Sequence, residues 1–195
     1  MLELQEGALS VFKSPFTVNY AKAGEQKFLS ASGGKSFLIA WYEEGAGIRT
    51  VTMDKNGMLG SEVQVGDMFY PHVTGSDAFA VTSGGAGLKY AKFDQDGKKT
   101  YGPVALFSDK IILLSSSAFT SQTVLTSAFS MMKTMSESAV YLTEVSYPYE
   151  FFPVDDSQYS QTSPDIAASS DGHFLIVWES DGEDGSSYGI FGKMF

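Results

Sequence analysis

The sequence predicts an all-β fold: one domain built as a β-propeller-like repeat array of four blades, closed by an N-terminal strand. Three observations carry this prediction. Short apolar segments alternate with turns rich in Gly, Asn, Asp and Ser, which is strand-and-hairpin patterning. The run Gly47-Ile48 to Met53-Asp54 and Gly57 matches Gly87-Leu88 to Phe93-Asp94 and Gly97 at a constant offset of 40 residues. Leu29, Val73, Leu114 and Ile166 recur as equivalent points at steps of 44, 41 and 52. Periods of about 40–50 residues with three or four strands each indicate propeller blades more than solenoid turns.

The elements follow in order. Residues 1–26 do not match the repeat: Leu2, Leu4, Leu9 and Val11 make an alternating segment, Ser14-Pro15 breaks it, and Phe16 to Tyr20 follows. Such a terminal strand closes or covers a sheet edge, or joins the sheet of a neighbouring subunit. Residues 27–68 form the first unit, with strands around Phe28–Ser32, Phe37–Tyr42, Ile48–Met53 and Glu62–Val65. Asp54-Lys55-Asn56-Gly57 has hairpin-turn chemistry, because Asn-Gly readily takes positive φ. Residues 69–108 repeat the order with His72–Ser76, Ala78–Thr82 and Leu88–Phe93, turning at Asp94-Gln95-Asp96-Gly97.

Residues 109–162 are a degraded third unit. Its strands are Ile111–Ser115, Thr123–Thr126 and Ala139–Val145; Phe129, Met131, Met132 and Met135 read as flexible core filling, and Tyr147-Pro148-Tyr149-Glu150-Phe151-Phe152-Pro153 is an aromatic insertion. Residues 163–195 are the fourth unit: Asp165–Ala168, a Ser-Ser-Asp-Gly turn, the apolar strand His173–Trp178, an acidic Gly-rich loop, and Tyr188–Phe195.

Composition narrows the function classes. The 195 residues carry 13 Lys and Arg against 23 Asp and Glu, a net charge of −10. An acidic surface repels nucleic-acid backbone, and the nearest thing to a basic patch is Lys98-Lys99, so nucleic acid is not an expected partner. The absence of cysteine excludes disulfides, zinc-thiolate sites and thiol catalysis. No apolar run reaches the ~18 residues of a membrane helix, and no membrane insertion is expected. MLELQEGALSVF lacks the basic and apolar regions of a signal peptide.

Pro164-Asp165-Ile166-Ala167-Ala168, Gly172-His173-Phe174-Leu175-Ile176-Val177-Trp178-Glu179-Ser180 and Asp184-Gly185-Ser186-Ser187-Tyr188-Gly189-Ile190-Phe191-Gly192-Lys193-Met194-Phe195 resemble a repeat of large secreted or surface proteins. In that family it reads roughly P-x-I/V-A-A, G-F-V-V-V-W-x-S, D-G-S-x-x-G-I-Y-G-Q-R-F. Such repeats occur in bacterial adhesin-like and haemolysin-type proteins and in long ciliate surface proteins. The resemblance is specific over the last 33 residues and weaker upstream, and Lys193-Met194 stands where the family has Gln-Arg. It implies an extracellular or cell-surface propeller-like module, with a cytoplasmic location as the alternative.

Candidate sites are few. Asp181, Glu183 and Asp184 crowd three carboxylates into one tight loop, and hard oxygens at short spacing suit calcium. A twelve-residue EF-hand loop from Asp54, Asp94 or Asp181 would end on Val65, Ala105 or Gly192, none of them a carboxylate, so a solvated turn explains the same residues. No other cofactor is expected. Gly34-Lys35-Ser36 lacks the earlier glycine of a phosphate loop, since Leu29 stands there. Ser169-Ser170-Asp171-Gly172 resembles a sialidase-type turn with its glycine one residue early. His72 and His173 lie near strand starts, and no G-x-S-x-G elbow is present. Tyr147, Tyr149, Phe151 and Phe152 are candidate ligand-binding aromatics, with Tyr42 and Tyr159 also near loops; the same rings could cap a blade.

The function expected from sequence is therefore a non-enzymatic structural or adhesive module of a surface assembly. It would contact other protein subunits and self-associate through residues 1–26. A glycan-binding propeller using the aromatic insertion is the alternative, and a sialidase-like hydrolase, which needs two converging carboxylates, stands third.

Overall fold

The computed structural model describes residues 2–5, 8–11, 16–20, 24–119, 125–134, 137–144, 150–155 and 157–195. Among them the chain is strand and turn, without helix. A two-stranded hairpin, β1 (Leu2–Gln5) and β2 (Ala8–Val11), precedes everything else. One sheet then holds β3 (Gln26–Gly33), β4 (Ser36–Glu43), β5 (Gly47–Asp54) and β6 (Val63–Gly66) in that order. A second runs β7 (Phe69–Gly75), β8 (Ala78–Asp94), β9 (Lys99–Phe119), β10 (Leu125–Met132), β11 (Ser138–Glu144) and β12 (Phe151–Pro153). A third holds β13 (Ser160–Ala168), β14 (Phe174–Asp181) and β15 (Tyr188–Met194). All neighbouring strands are antiparallel.

The six-stranded sheet is two blades. β8 pairs with β7 through Phe79–Gly84 and with β9 through Gly85–Phe93. A straight strand would hold Phe79 and Phe93 about 46 Å apart, yet both lie in one apolar cluster with Val81 and Ala91. The chain therefore doubles back between Gly84 and Gly87. β9 is shared in turn: its first half is the outer strand of the second blade, and residues 112–119 pair with β10 as the inner strand of the third.

The 40-residue repeat is visible atom by atom. Asp54 Oδ1 accepts the amides of Asn56 (2.9 Å) and Met58 (2.8 Å), while Asp94 Oδ1 accepts those of Asp96 (3.0 Å) and Lys98 (2.9 Å). Each aspartate thus spends its carboxylate on its own turn, the usual role of Asx side chains. Gly47 and Gly87 have φ of 78° and 96°, and a Cβ there would stand 2.2 Å from Gly66 O and 1.8 Å from Phe107 O. Only glycine lets the outer strand come so close.

Three apolar cores separate the four blades. Leu38, Ala40 and Ile48 of the first pack against Val73, Phe79 and Phe93 of the second. Tyr90, Leu88 and Leu106 meet Phe129, Leu125 and Met131, and Ala128, Val140 and Val154 meet Ile166, Ile176 and Trp178. Burying each large side chain is worth about 1.5–3 kcal/mol. A closed ring of four would have a fourth core. Instead the far face of the last blade leaves Leu175, Tyr188, Ile190 and Met194 exposed, and Leu29 of the first is exposed too. The architecture is propeller-like, and among the described residues no fourth core joins the last sheet to the first. Of residues 1–26, expected to close the array or join a neighbour's sheet, the described ones include β1 and β2, which pair with each other; among the described residues β15 pairs with β14 alone.

Candidate functional site

Three of the strands that open the repeat units share a local defect. β3, β7 and β13 each carry an extra residue in their register, between Lys27 and Ser30, Phe69 and Pro71, and Thr162 and Asp165. A residue with left-handed backbone marks each one: Phe28, Tyr70 and Ser163, at φ of 54°, 50° and 51°. A bulge of one residue exchanges the faces of the strand beyond it. On β13 this lets both Gln161 and Ile166 pack toward the third blade while Asp165 turns to the centre.

Four central positions, Ser30, His72, Ser116 and Asp165, recur at intervals of 42, 44 and 49 residues. They link the blades by one rule: the side chain of each accepts the backbone N–H just after the next. Val73 N donates to Ser30 Oγ at 3.0 Å, Ser117 N to His72 Nδ1 at 3.2 Å, and Ile166 N to Ser116 Oγ at 3.3 Å. Asp165 ends the series. Its Oδ1 accepts Ser116 Oγ–H at 2.6 Å and its neighbour Ile166 N–H at 2.9 Å. Its other oxygen takes no hydrogen bond among the described residues.

His72 Nε2 lies 3.2 Å from Ser116 Oγ, and its Nδ1 lies 3.4 Å from Ser117 Oγ, which in turn lies 2.9 Å from Thr82 Oγ1. Ser116, Ser117 and Thr82 are buried, His72 is half-buried and Asp165 is exposed. Burial pushes the His72 imidazole below its ordinary range, and the Asp165 charge partly opposes that shift. Beside this cluster opens a cavity of about 720 Å³. Its walls include His72, Ser117, Ala118 and Ile166, and the β7–β8 turn brings Asp77 to it. Asp77 is paired with Lys35 at 3.3 Å, both largely exposed.

Of the residues singled out by sequence, His72 is in this cluster, and the other described ones lie elsewhere. Tyr147 and Tyr149 fall outside the described residues. Phe151 is packed edge-on against Phe107 (4.8 Å) and Tyr141 (5.4 Å) in the second core, whereas Phe152 is 58% exposed. The structure therefore separates neighbours that the sequence grouped. Tyr42 stacks on Phe69 at 4.8 Å. In the acidic loop, Glu183 accepts the hydroxyls of Ser180 and Ser157, and Asp184 accepts Ser186 N at 3.0 Å. Asp181 closes the β14 ladder opposite Tyr188. Among the described residues no group of three or more His, Asp or Glu is placed to hold a metal. His173 pairs with Asp171 at the surface (3.2 Å), and hydrogen bonds from Ser169 and then His173 hold the Asp171 carboxyl below its usual range.

Sequence reasoning missed the central cluster. A signal existed: Pro71-His72-Val73 and Pro164-Asp165-Ile166 both put a polar residue between proline and a β-branched residue at an inner-strand start.

No family model matches the chain, and no curated protein matches it. Its fold is similar to the crystal structure of an endo-arabinase from Bacteroides thetaiotaomicron, with a TM-score of 0.51 at 13% identity, covering 82% of this chain and 70% of that one. A thermostable family-43 glycoside hydrolase is also similar, with a TM-score of 0.48 at 12% identity over 90% of this chain and 72% of that one. At this identity the endo-arabinase likeness concerns the fold. It nevertheless overturns the expectation of a non-enzymatic structural or adhesive module, and with it the expectation that the chain is no enzyme.

Proposed function

We propose that this chain is a glycoside hydrolase that holds an oligosaccharide in the cavity beside His72 and Ile166 and acts on it with the Asp165 carboxylate. One observation carries the reading: Asp165 is fixed through one oxygen, next to Ile166 in the wall of a cavity of about 720 Å³, and its other oxygen takes no hydrogen bond among the described residues. Glycoside hydrolysis uses two carboxyl groups flanking the bond to be cut. As the glycosidic bond breaks, Asp165 takes the proton of the attacking water and a second carboxyl gives its proton to the leaving oxygen; Asp77 is the carboxyl on the cavity wall, and release from Lys35 is required for it to serve. The hydroxyls around them, Ser117 and Thr74, suit hydrogen bonding to sugar. The likeness of fold to an endo-arabinase makes arabinan the first substrate to try.

The test is release of reducing ends from arabinan and other plant polysaccharides, together with a panel of chromogenic glycosides. Asp165→Asn is expected to lower the rate about 10²–10⁴-fold, the usual contribution of a general base, while leaving the fold intact by circular dichroism. A wild-type protein that neither cleaves nor binds any glycan of the panel overturns the reading. So does full activity in Asp165→Asn.

A further inference from the structure

We propose that His72 is a positioning residue for Asp165: a one-way hydrogen-bond relay, His72 to Ser116 to Asp165, orients the carboxylate and is broken when His72 takes up a second proton. The inference rests on the reading of Asp165 as the acting carboxylate. Its direction follows from a donor that cannot be reversed. Ser117 N–H points at His72 Nδ1 (3.2 Å), so Nδ1 must be the acceptor and the neutral ring carries its proton on Nε2. Nε2–H then donates to Ser116 Oγ (3.2 Å), which leaves the single Ser116 proton for Asp165 Oδ1 (2.6 Å). Each link fixes the next.

The same geometry removes a rival role. In a serine nucleophile the hydroxyl proton goes to the imidazole; here it goes to the carboxylate, so Ser116 is a bridge. Ile166 N–H reaches both Ser116 Oγ (3.3 Å) and Asp165 Oδ1 (2.9 Å), which keeps the hydroxyl and the carboxylate in one plane of approach.

Protonation of Nδ1 would set an N–H against the Ser117 N–H, two donors facing one another. The ring must then shift, and Ser116 loses its fixed donor. The groups facing His72 bear this out as a local device. Asp165 on β13 is the charged group acting on it. β8 presents Thr82 and β9 presents Ser116 and Ser117. β3 sets Ser30 and Ser32 against β7, and Leu38 and Ala40 of β4 pack with Val73, the next residue on β7. Burial lowers the imidazole from its ordinary value of 6.5, so the relay stays intact through neutral pH.

The test is nitrogen-15 NMR of the histidine rings in the full chain, with His173→Asn assigning the two histidines, followed by pH–rate profiles. The expected spectrum shows neutral His72 as the Nε2–H tautomer, titrating below 6.5. Asp165→Asn lowers that midpoint further, because the carboxylate was holding it up, and Ser116→Ala moves the Nε2 resonance. In turnover, His72→Ala loses about 100-fold in kcat, the scale of a misplaced catalytic group, with KM little altered. His72→Gln, which offers a non-titrating donor where Nε2 stood, recovers most of that loss and removes the part of the acid limb that follows the His72 titration, leaving the limb set by ionisation of Asp165 itself. An Nδ1–H tautomer, or an acid limb in His72→Gln unchanged from wild type, overturns the relay. The expected NMR pattern in a protein that cleaves no glycan upholds the relay and overturns only the hydrolase reading.

Discussion

Gln161→Met tests how the last blade is held in place, and with it the position of Asp165. Gln161 is fully buried on β13, four residues before Asp165. Its Oε1 accepts Val140 N–H at 3.1 Å and its Nε2 donates to Asp155 Oδ2 at 3.3 Å, so one side chain ties the fourth blade to the third. Methionine keeps the length and removes both bonds. The buried Val140 N–H is then orphaned at about 1–3 kcal/mol, and the long bond to Asp155 adds about 1 kcal/mol. The total, about 2–4 kcal/mol, corresponds to a fall in Tm of about 5–15 °C for a chain of this size. Differential scanning calorimetry reads it directly. A Tm within about 1 °C of wild type would show that β13 is held by apolar packing alone, and the argument from Gln161 to Asp165 would fail.

Three further outcomes follow from the same structure. Asp54→Ala and Asp94→Ala each remove the two Oδ1 bonds to turn amides, Asp54→Ala also the long bond from Asn56 Nδ2, and are expected to cost about 1 kcal/mol apiece, read as paired shifts of the urea midpoint; a shift in one and none in the other would deny their equivalence. Gly87→Ala places a Cβ 1.8 Å from Phe107 O at φ 96° and should fail to yield folded protein, whereas Gly45→Ala, with open space around it at φ 81°, should cost only about 1–2 kcal/mol of backbone strain. His72, whose imidazole is held below 6.5 in the folded state, makes stability complete above that value and lets it fall as pH drops through the lower folded value. His72→Gln should flatten that dependence in urea titrations across the acid range; an unchanged slope would show that another group is responsible.

The sequence by itself determined what depends on near neighbours. Asn56-Gly57 and the Asp54 and Asp94 turns were legible because an Asx side chain caps amides two and four residues on, within one hairpin. The strand segments and the repeat were legible because period-2 patterning and a turn glycine leave marks at fixed spacing, as at Gly47 and Gly87. The tertiary structure alone decided three things. It set Phe151 into the second core while leaving Phe152 exposed, because register, unlike composition, assigns a face. It left the last sheet and the first without a shared core among the described residues, because closure depends on whether a fourth interface forms between β15 and β3, and no local pattern encodes that. It also brought His72, Ser116 and Asp165 together across 93 residues of chain, from 72 to 165. Their meeting depends on the blade period and on bulges at Tyr70 and Ser163 that turn His72 and Asp165 inward. A one-residue change of register sends a side chain to the opposite face, so a site built from bulged strands is fixed only when the strands have packed.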